Sequence, residues 1–381
     1  MWAPIPSIDA ARVGRILLVL TNAILLFQHA AADCECGYSA TVSNSSSDTQ
    51  QQQQGETFVF TDLIEANFAN VSDISEDTDW VRQEFNTSAA QARGTYGQMF
   101  AVDNVETREG GDGLQITVRS DVVEGMLSGG EIDSARLDVS YGSFRSSLRL
   151  TDVGGTVSAF FWYFNDTQEI DMEFLSKDFR TENSSYPVHL VLQSPFDASS
   201  TPGHAVANLP FDPRADFHEY RFDFVPGHVV FYADGDVLGT MDDPDSVPSS
   251  AGHLALNHWS NGNALWSGGP PVQDAAMEVR YVKAYFNSSD GARRGDFAAR
   301  CVDPAAVGAV CAIPAVTAGD DSAAGFFFTG QKNMTGNQTV SSDNGVSGGD
   351  ENGAVGGRDF QGVTWTGVGL SLLVAAWGVC L

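Results

Sequence analysis

The chain has few basic residues, few cysteines and no long amphipathic helical pattern. Its 20 Lys and Arg residues stand against 49 Asp and Glu residues, so the formal net charge is −29 over 381 residues. Nucleic acids and anionic lipids recruit proteins through Lys and Arg, so neither is expected as a partner, whereas a neutral polysaccharide is compatible with this charge. The 39 glycines indicate a turn-rich, all-β protein with one substantial core.

Five cysteines limit the covalent cross-links. Cys380 lies in the apolar C-terminal segment, which leaves Cys34, Cys36, Cys301 and Cys311, an even number that predicts two disulfides in an oxidising compartment. Three pairings are possible. The bridge within Cys34-Glu35-Cys36 is the least favourable because the two residues are so close, and pairing across the two ends is preferred. A four-cysteine zinc site is a disfavoured alternative, since Cys301 and Cys311 are widely spaced.

Both ends of the chain resemble targeting signals. Arg12 and Arg15 precede an apolar run and three alanines at 30–32, so residues 1–32 are predicted to be a signal peptide. The small residues that begin at Asn352, a short spacer and an apolar tail predict attachment of a glycosylphosphatidylinositol (GPI) anchor at Asn352, with 353–381 removed. A membrane-spanning tail is the alternative. A secreted protein held at the cell surface or cell wall is expected.

The region between these signals divides by composition. Residues 33–56 are predicted to be a low-complexity, glycosylated arm, 57–290 the folded domain, 291–315 a cysteine-containing extension and 316–352 a disordered stalk. Asn-x-Ser/Thr sequons predict N-glycosylation in the secretory pathway. These sequons lie at Asn44, Asn70, Asn86, Asn165, Asn183, Asn287, Asn333 and Asn337.

One short run carries the main chemical signal. Glu169, Asp171 and Glu173 alternate with Ile170 and Met172, so on a strand the three carboxylates share one face while the apolar side chains enter the core. Crowded like charges raise at least one pKa. A retaining glycosidase needs such a set, namely an ionised nucleophile and a protonated acid roughly 5–5.5 Å apart. The alternative is a solvated strand face, because acidic residues are common on surfaces.

The flanking sequence favours the catalytic interpretation. The aromatic run before the triad includes Phe161 and Tyr163, whose rings could stack on sugars. The stretch from Gly155 to Leu175 resembles the active-site hairpin of glycoside hydrolase family 16. Further resemblance lies in the hairpin from Phe217 to Gly235, in Leu256-Asn257-His258-Trp259 and in the closing strand from Arg280 to Phe286.

The resemblance implies a fold and roles for residues. The fold would be a jelly-roll sandwich of two curved antiparallel sheets, with Glu169 as nucleophile, Asp171 as assisting acid and Glu173 as general acid/base. The uninterrupted E-x-D-x-E lacks the extra residue of laminarinase-type members, and it resembles lichenases, xyloglucan enzymes and wall cross-linking transglycosylases. An endo-acting β-glucan hydrolase that acts by retention, with possible transfer to a sugar acceptor, is therefore expected. A non-catalytic glycan-binding lectin of the same fold is the alternative.

The remaining candidates concern the cleft. Asn257 and Trp259 are two residues apart on one face and, with Trp266, are expected to contact sugar, the two tryptophans serving as an acceptor platform. Core packing is the alternative for Asn257 and Trp259. His258 faces the other way and is interpreted as structural. His218 is also expected to be a hydrogen-bonded core residue, because a metal site with His228 and Asp234 would lack compact ligand spacing. No cofactor or metal is expected, and a monomer is predicted.

Overall fold

A computed structural model describes residues 33–43, 55–108, 112–193 and 203–331. In these ranges the chain forms two large sheets packed face to face, a small third sheet and one α-helix, α1 (Gly291–Arg300). Most neighbouring strands are antiparallel, as predicted, although the strands Gly97–Phe100 and Met126–Ser134 pair in parallel. The expected all-β sandwich is confirmed.

The first sheet has ten strands and carries the acidic run. Its main order is β15 (His204–Asn208), β14 (Pro187–Gln193), β13 (Gln168–Leu175), β12 (Val157–Asn165), β19 (His253–Trp259), β10 (Met126–Ser134), β6 (Gly97–Phe100) and β5 (Phe85–Thr87). Two short strands also pair with β10, namely β4 (Trp80–Arg82) and β9 (Val122–Val123).

The second sheet has eight strands. Its main order is β18 (Asp236–Met241), β17 (His228–Ala233), β16 (His218–Val225), β11 (Val139–Arg149), β20 (Ala275–Ser288), β8 (Leu114–Val118) and β7 (Val105–Thr107), while β3 (Asp62–Asn67) pairs with β20. Short 3-10 turns at 68–70, 74–76, 102–104, 176–178, 181–183, 322–325 and 328–330 connect or follow the strands.

The core lies between these two sheets. Phe160, Trp162 and Ile170 of the first sheet pack in one buried cluster with Phe144 and Phe222 of the second. The alternation of these residues with outward-facing neighbours is the period of two that a half-buried strand requires. Each large sheet therefore has an inner face in this core and an outer face that points away from it.

The outer face of the second sheet is covered by both ends of the described chain. β1 (Tyr38–Val42) pairs with β2 (Glu56–Phe60) and, in parallel, with β21 (Cys311–Ala312). Tyr38 and Val42 are fully buried against this face. The prediction that residues 33–56 form a low-complexity arm outside the folded domain is therefore wrong for residues 33–43, because β1 is an apolar strand with two sheet partners. Residues 44–54 lie outside the described residues.

The segment after β21 also belongs to the folded domain. Phe328 is buried, with ring centroids 4.9 Å from Tyr38 and 5.8 Å from Tyr285. The expectation of a disordered stalk from residue 316 is therefore wrong for 316–331, since its apolar side chains complete the cover of the second sheet. The rest of the predicted stalk, the anchor signal with Asn352, and the signal peptide lie outside the described residues. Among the described residues, no helix is both long and apolar enough to cross a bilayer.

Two disulfides join the ends, as predicted. Cys34 bonds to Cys311, and Cys36 bonds to Cys301. This is the preferred pairing across the two ends, and it excludes the four-cysteine zinc site. The loops that the bridges close span 277 and 265 residues, so each restricts almost the whole domain in the unfolded chain.

Five of the predicted glycosylation sites lie in the described part of the chain. Asn70, Asn86, Asn165 and Asn183 are exposed, and Asn287 is half-buried. Asn44, Asn333 and Asn337 lie outside the described residues. Modification of these positions stays a prediction.

Candidate active site

The three carboxylates share the outer face of the first sheet. Ile170 and Met172 enter the core between the sheets, so Glu169, Asp171 and Glu173 on the same strand point the other way. The β12–β13 register runs without a shift from Val157 opposite Leu175 to Tyr163 opposite Glu169. No bulge interrupts the triad, as the spacing of the acidic run predicted.

Burial dominates the electrostatics of these groups. The exposed fractions of Glu169, Asp171 and Glu173 are only 1%, 3% and 4%. Removal from water raises the pKa of Glu169 to about 8 and the pKa values of Asp171 and Glu173 well above their usual range, and the negative charges of the neighbouring carboxylates add to each rise.

Asp171 shifts the pKa values of the two glutamates in opposite directions, lowering that of Glu169 and raising that of Glu173. The neighbouring Asp171 carboxyl lowers the pKa of Glu169 against the larger effect of burial, although no hydrogen bond of good geometry reaches either Glu169 oxygen. After burial and the charge of Glu169, the same interaction raises the pKa of Asp171. It therefore favours a charged Glu169 beside a neutral Asp171, and burial with the charge of Asp171 favours the neutral form of Glu173.

Two further buried carboxylates lie on this face, and the sequence interpretation missed both. Glu131 and Asp133 on β10 flank Ile132, which enters the core. Burial raises the pKa of Glu131 to about 7 and the pKa of Asp133 well above its usual range. The signal was present in the sequence, because Glu131-Ile132-Asp133 repeats the Glu-Ile-Asp order of 169–171.

Asn257 connects the two acidic strands. Its Nδ2 donates to Oε2 of Glu131 over 3.0 Å. Through Ala159, the strand register places Glu131, Asn257 and Glu173 on one line across the sheet. The predicted position of Asn257 on the face of the triad is therefore correct, and Oε1 of Glu131 is left buried without a hydrogen-bond partner.

The aromatic residues of β12 lie beside the triad. Phe161 and Tyr163 are opposite Asp171 and Glu169 and form a small apolar cluster outside the main core. The Tyr163 hydroxyl donates to Asp166 over 2.8 Å, and burial together with this carboxylate raises the pKa of Tyr163. These rings therefore border the Glu169 end of the acidic row.

The two predicted tryptophans lie towards the other end. Trp259 and Trp266 pack with Phe100, Val157 and Leu175 in a second outer-face cluster. Their exposed fractions are 2% and 8%, so little ring surface is open for a sugar to stack on. Trp266 is nevertheless close enough for its indole N–H to lower the pKa of Glu173.

A histidine pair adjoins Glu173. His189 on β14 is directly opposite Glu173, and its ring stacks on that of His204 with centroids 5.3 Å apart. No sequence motif indicates this pair, because the two residues are 15 positions apart on different strands. Only the strand register brings them to the triad.

His258 and His218 have hydrogen-bonded positions, as expected. His258 is buried, its Nδ1–H donates to the Ile116 carbonyl, and its Nε2 accepts from Thr156. The ring of His218 stacks on Phe211 and bonds to Asp234 at 2.7 Å. Within the four described ranges, no group of three or more His, Cys, Asp and Glu side chains has an arrangement suited to a metal ion.

The sandwich and its row of buried carboxylates define the class of protein. A strand that presents three acids on one face, bordered by aromatic rings, has the parts that a carbohydrate-cleaving enzyme uses. The family model for glycosyl hydrolases family 16 matches residues 93–283. The chain belongs to this family, which contains glycoside hydrolases and transglycosylases.

Individual relatives agree with the family model. A β-glucanase of Paenibacillus polymyxa is 31% identical over 198 residues, which cover 48% of this chain and 76% of the relative. A β-glucanase of Paenibacillus macerans is 35% identical over 136 residues, 34% of this chain and 52% of the relative. Among solved structures, a lichenase from a mouse hindgut metagenome aligns with a TM-score of 0.48 at 20% identity, covering 59% of this chain and 99% of that one.

Proposed function

We propose that this protein is an endo-acting, retaining β-glucan hydrolase that works by double displacement. The single observation that carries the proposal is the bulge-free strand that presents Glu169, Asp171 and Glu173 on one buried face. The names of the relatives, which are β-glucanases, support the substrate class. Family membership favours an enzyme over the lectin that the sequence left as an alternative.

The first step needs one charged and one neutral carboxyl. Glu169, whose ionisation the neighbouring Asp171 carboxyl favours, attacks the anomeric carbon, while Glu173, whose neutral form is favoured by burial, gives its proton to the departing glycosidic oxygen. The bond between that carbon and oxygen breaks as the bond to Glu169 forms. We assign Asp171 to donate a hydrogen bond to Glu169 during the reaction, which would stabilise the charged nucleophile before attack and its departure as a carboxylate afterwards.

The second step reverses the proton transfer. Glu173, now ionised, takes a proton from a water or from a sugar hydroxyl, whose oxygen then displaces Glu169 from the anomeric carbon. Water gives hydrolysis and a sugar gives transfer. The expected aromatic acceptor platform has little support, because Trp259 and Trp266 are almost fully covered by their neighbours. Hydrolysis is therefore proposed as the main reaction, with transfer when acceptor sugar is abundant.

The cellular setting is also part of the proposal. Residues 1–32 and 353–381 have the order of a signal peptide and an anchor signal, and two disulfides fit an oxidising compartment. We place the mature enzyme at the cell surface, held by a glycolipid on Asn352. Release from intact cells by a phospholipase that cleaves such anchors supports this, whereas Trp365 to Leu381 in mass spectra of the mature protein would contradict it.

Azide distinguishes the roles of the two glutamates. With an aryl β-oligoglucoside whose leaving group needs no acid, Glu173→Ala still forms the glycosyl-enzyme, and azide then gives the β-glycosyl azide. Glu169→Ala cannot form that intermediate, and azide entering the vacated site gives the α-glycosyl azide. Glu131→Ala, which removes a buried carboxylate from the same face, serves as the matched control and gives neither product.

The wild-type reaction tests the proposal itself. Proton NMR of barley β-glucan, laminarin or xyloglucan during cleavage is expected to show the β-anomer first, followed by mutarotation. First appearance of the α-anomer would contradict retention. If the protein bound one of these polymers but cleaved none of them and did not cleave the aryl substrate, the non-catalytic lectin would be favoured instead.

A further inference from the structure

The His189 and His204 pair has no role in the reaction described above. Nδ1 of His189 and Nε2 of His204 are 3.1 Å apart, and the rings are nearly parallel, at 15°. Trp266 packs edge-on against His189 with centroids 4.8 Å apart. No described residue forms a hydrogen bond with the outer nitrogens, Nε2 of His189 and Nδ1 of His204.

Burial favours the neutral form of both rings. Burial, with His204 as a further cause, lowers the pKa of His189 to about 4, and burial lowers the pKa of His204. Two neutral imidazoles joined by one N–H···N bond present one free N–H and one free ring nitrogen. When the two rings exchange tautomers, the free N–H moves from one outer nitrogen to the other, so Nε2 of His189 can be either a donor or an acceptor. A sugar hydroxyl can pair with either form, because it both donates and accepts.

The position of the histidine pair places it on the leaving-group side of the glycosidic bond. Glu173 protonates the departing oxygen, so the departing sugar must lie at the Glu173 end of the acidic row. His189 is opposite Glu173 in the register, and Trp266 acts on the same carboxyl. Tyr163, by contrast, is opposite the nucleophile Glu169. The histidines therefore border the departing sugar, or the acceptor that replaces it.

We propose that His189, oriented by His204 and Trp266, hydrogen-bonds a hydroxyl of the departing or acceptor sugar and so selects that sugar. This assignment rests on the proposed function. His204 is a positioning residue, because it acts through its bond to His189. No charge or metal is required of the pair, and its contribution is one directional hydrogen bond on the side of the leaving group.

Two substrates separate this role from a general loss of structure. A polymeric β-glucan leaves as a sugar and uses the contact, whereas a 4-methylumbelliferyl β-oligoglucoside leaves as an aryl group without sugar hydroxyls. For His189→Leu we expect kcat/KM on the polymer to fall roughly tenfold while kcat/KM on the aryl substrate stays within about twofold. His189→Gln, which keeps a donor and an acceptor, should recover most of the polymer activity.

Two variants complete the experiment. His204→Leu should give a smaller loss on the polymer, because His189 remains but is less well oriented. His228→Leu, on the second sheet, should leave both substrates unchanged. Equal losses on both substrates for His189→Leu, or a His189→Gln as poor as His189→Leu, would overturn the assignment. If the wild type cleaved neither substrate, the proposed function itself would fail and this assignment with it.

Discussion

The two outer faces of the sandwich bury charge in opposite ways. On the second sheet, Arg221 donates to Asp223 through two hydrogen bonds, and Lys283 donates to the carbonyls of Ala323 and Ala324. On the first sheet, Glu131, Asp133, Glu169 and Glu173 each retain at least one buried oxygen without a hydrogen-bond partner. The outer face of the second sheet, the paired face, therefore satisfies these charges within the protein. The outer face of the first sheet, the unpaired face, leaves carboxylate oxygens without a partner.

The difference separates a structural use of buried charge from a functional one. A buried ion is costly unless it is paired, so a folded protein normally satisfies it. The third sheet and residues 313–331 close over the second sheet and bring the partners, among them the backbone of Phe328 and Thr329, which donates to Glu65. No described segment supplies such partners to the unpartnered oxygens of the first sheet. These carboxylates, and not the paired charges of the second sheet, are the groups to which we assign the reaction.

The largest expected effect comes from the unpaired face. Glu169→Gln removes the nucleophile's charge with little change of shape, so turnover of β-glucan should fall by at least about 10³-fold. The same change should raise the melting temperature at pH 8, because a neutral amide avoids burying a carboxylate beside Glu173 and Asp171. Activity assays and thermal unfolding measure the two effects. A loss of turnover accompanied by lower stability at pH 8 would contradict this account of the face.

On the paired face, replacing a buried carboxylate by its amide should lower stability, whereas the same kind of change at Glu169 should raise it. Asp223 is fully buried, and its Oδ1 accepts from Nε of Arg221 over 2.7 Å, while that guanidinium also lies 4.3 Å from the Tyr232 ring centroid. Asp223→Asn leaves the arginine buried without its counter-charge, which should cost about 3–5 kcal/mol of unfolding free energy. Chemical denaturation measures the loss, and kcat of the folded fraction should not change.

A second variant tests whether pairing is the cause. Replacing both residues, Arg221→Met with Asp223→Leu, removes the charges together and should restore most of the lost stability. If the double variant were as unstable as Asp223→Asn, loss of packing and not an unpaired charge would explain the effect.

The sequence predicted the unpaired face better than the paired one. The period of two located the triad, because alternation directly determines which face a side chain occupies. Glu131 and Asp133 carried the same pattern but lay far from the motif. The cover of the second sheet was missed because β1 lies beside a glutamine-rich stretch and Phe328 lies in a polar region. Local composition reflects the residues that are adjacent in sequence. Burial of a segment depends instead on contacts with strands hundreds of residues away in the chain.

The histidine pair shows a different limit. His189 is on β14 and His204 on β15, and their contact is diagonal, since His189 is opposite Val206 in the register. A sequence without strand boundaries does not give that register. Local patterns therefore predicted which residues face the site, and only the sheet order showed which of them meet.

The smallest expected effect is the pH dependence of Glu131. Its pKa is raised by burial to about 7 in the folded protein, against about 4.3 for an unperturbed glutamate. A raised pKa means that the folded state holds the proton more tightly than the unfolded chain. The resulting stability is therefore fully present below about pH 4.3 and is lost as the pH rises through about 7. The wild type should be less stable at pH 8 than at pH 5 through this residue.

Glu131→Gln isolates this contribution. The neutral side chain cannot lose a proton and can still accept from Nδ2 of Asn257, so the variant should gain about 1–3 kcal/mol over the wild type at pH 8 and much less at pH 5. Denaturant melts of both proteins at the two pH values measure the difference. Glu182→Gln, at an exposed position, is the matched control and should show no such pH-dependent gain. A gain for Glu131→Gln that was equal at pH 5 and pH 8 would mean that the carboxylate is not held protonated by burial, and the contrast between the two faces would then rest on hydrogen bonding alone.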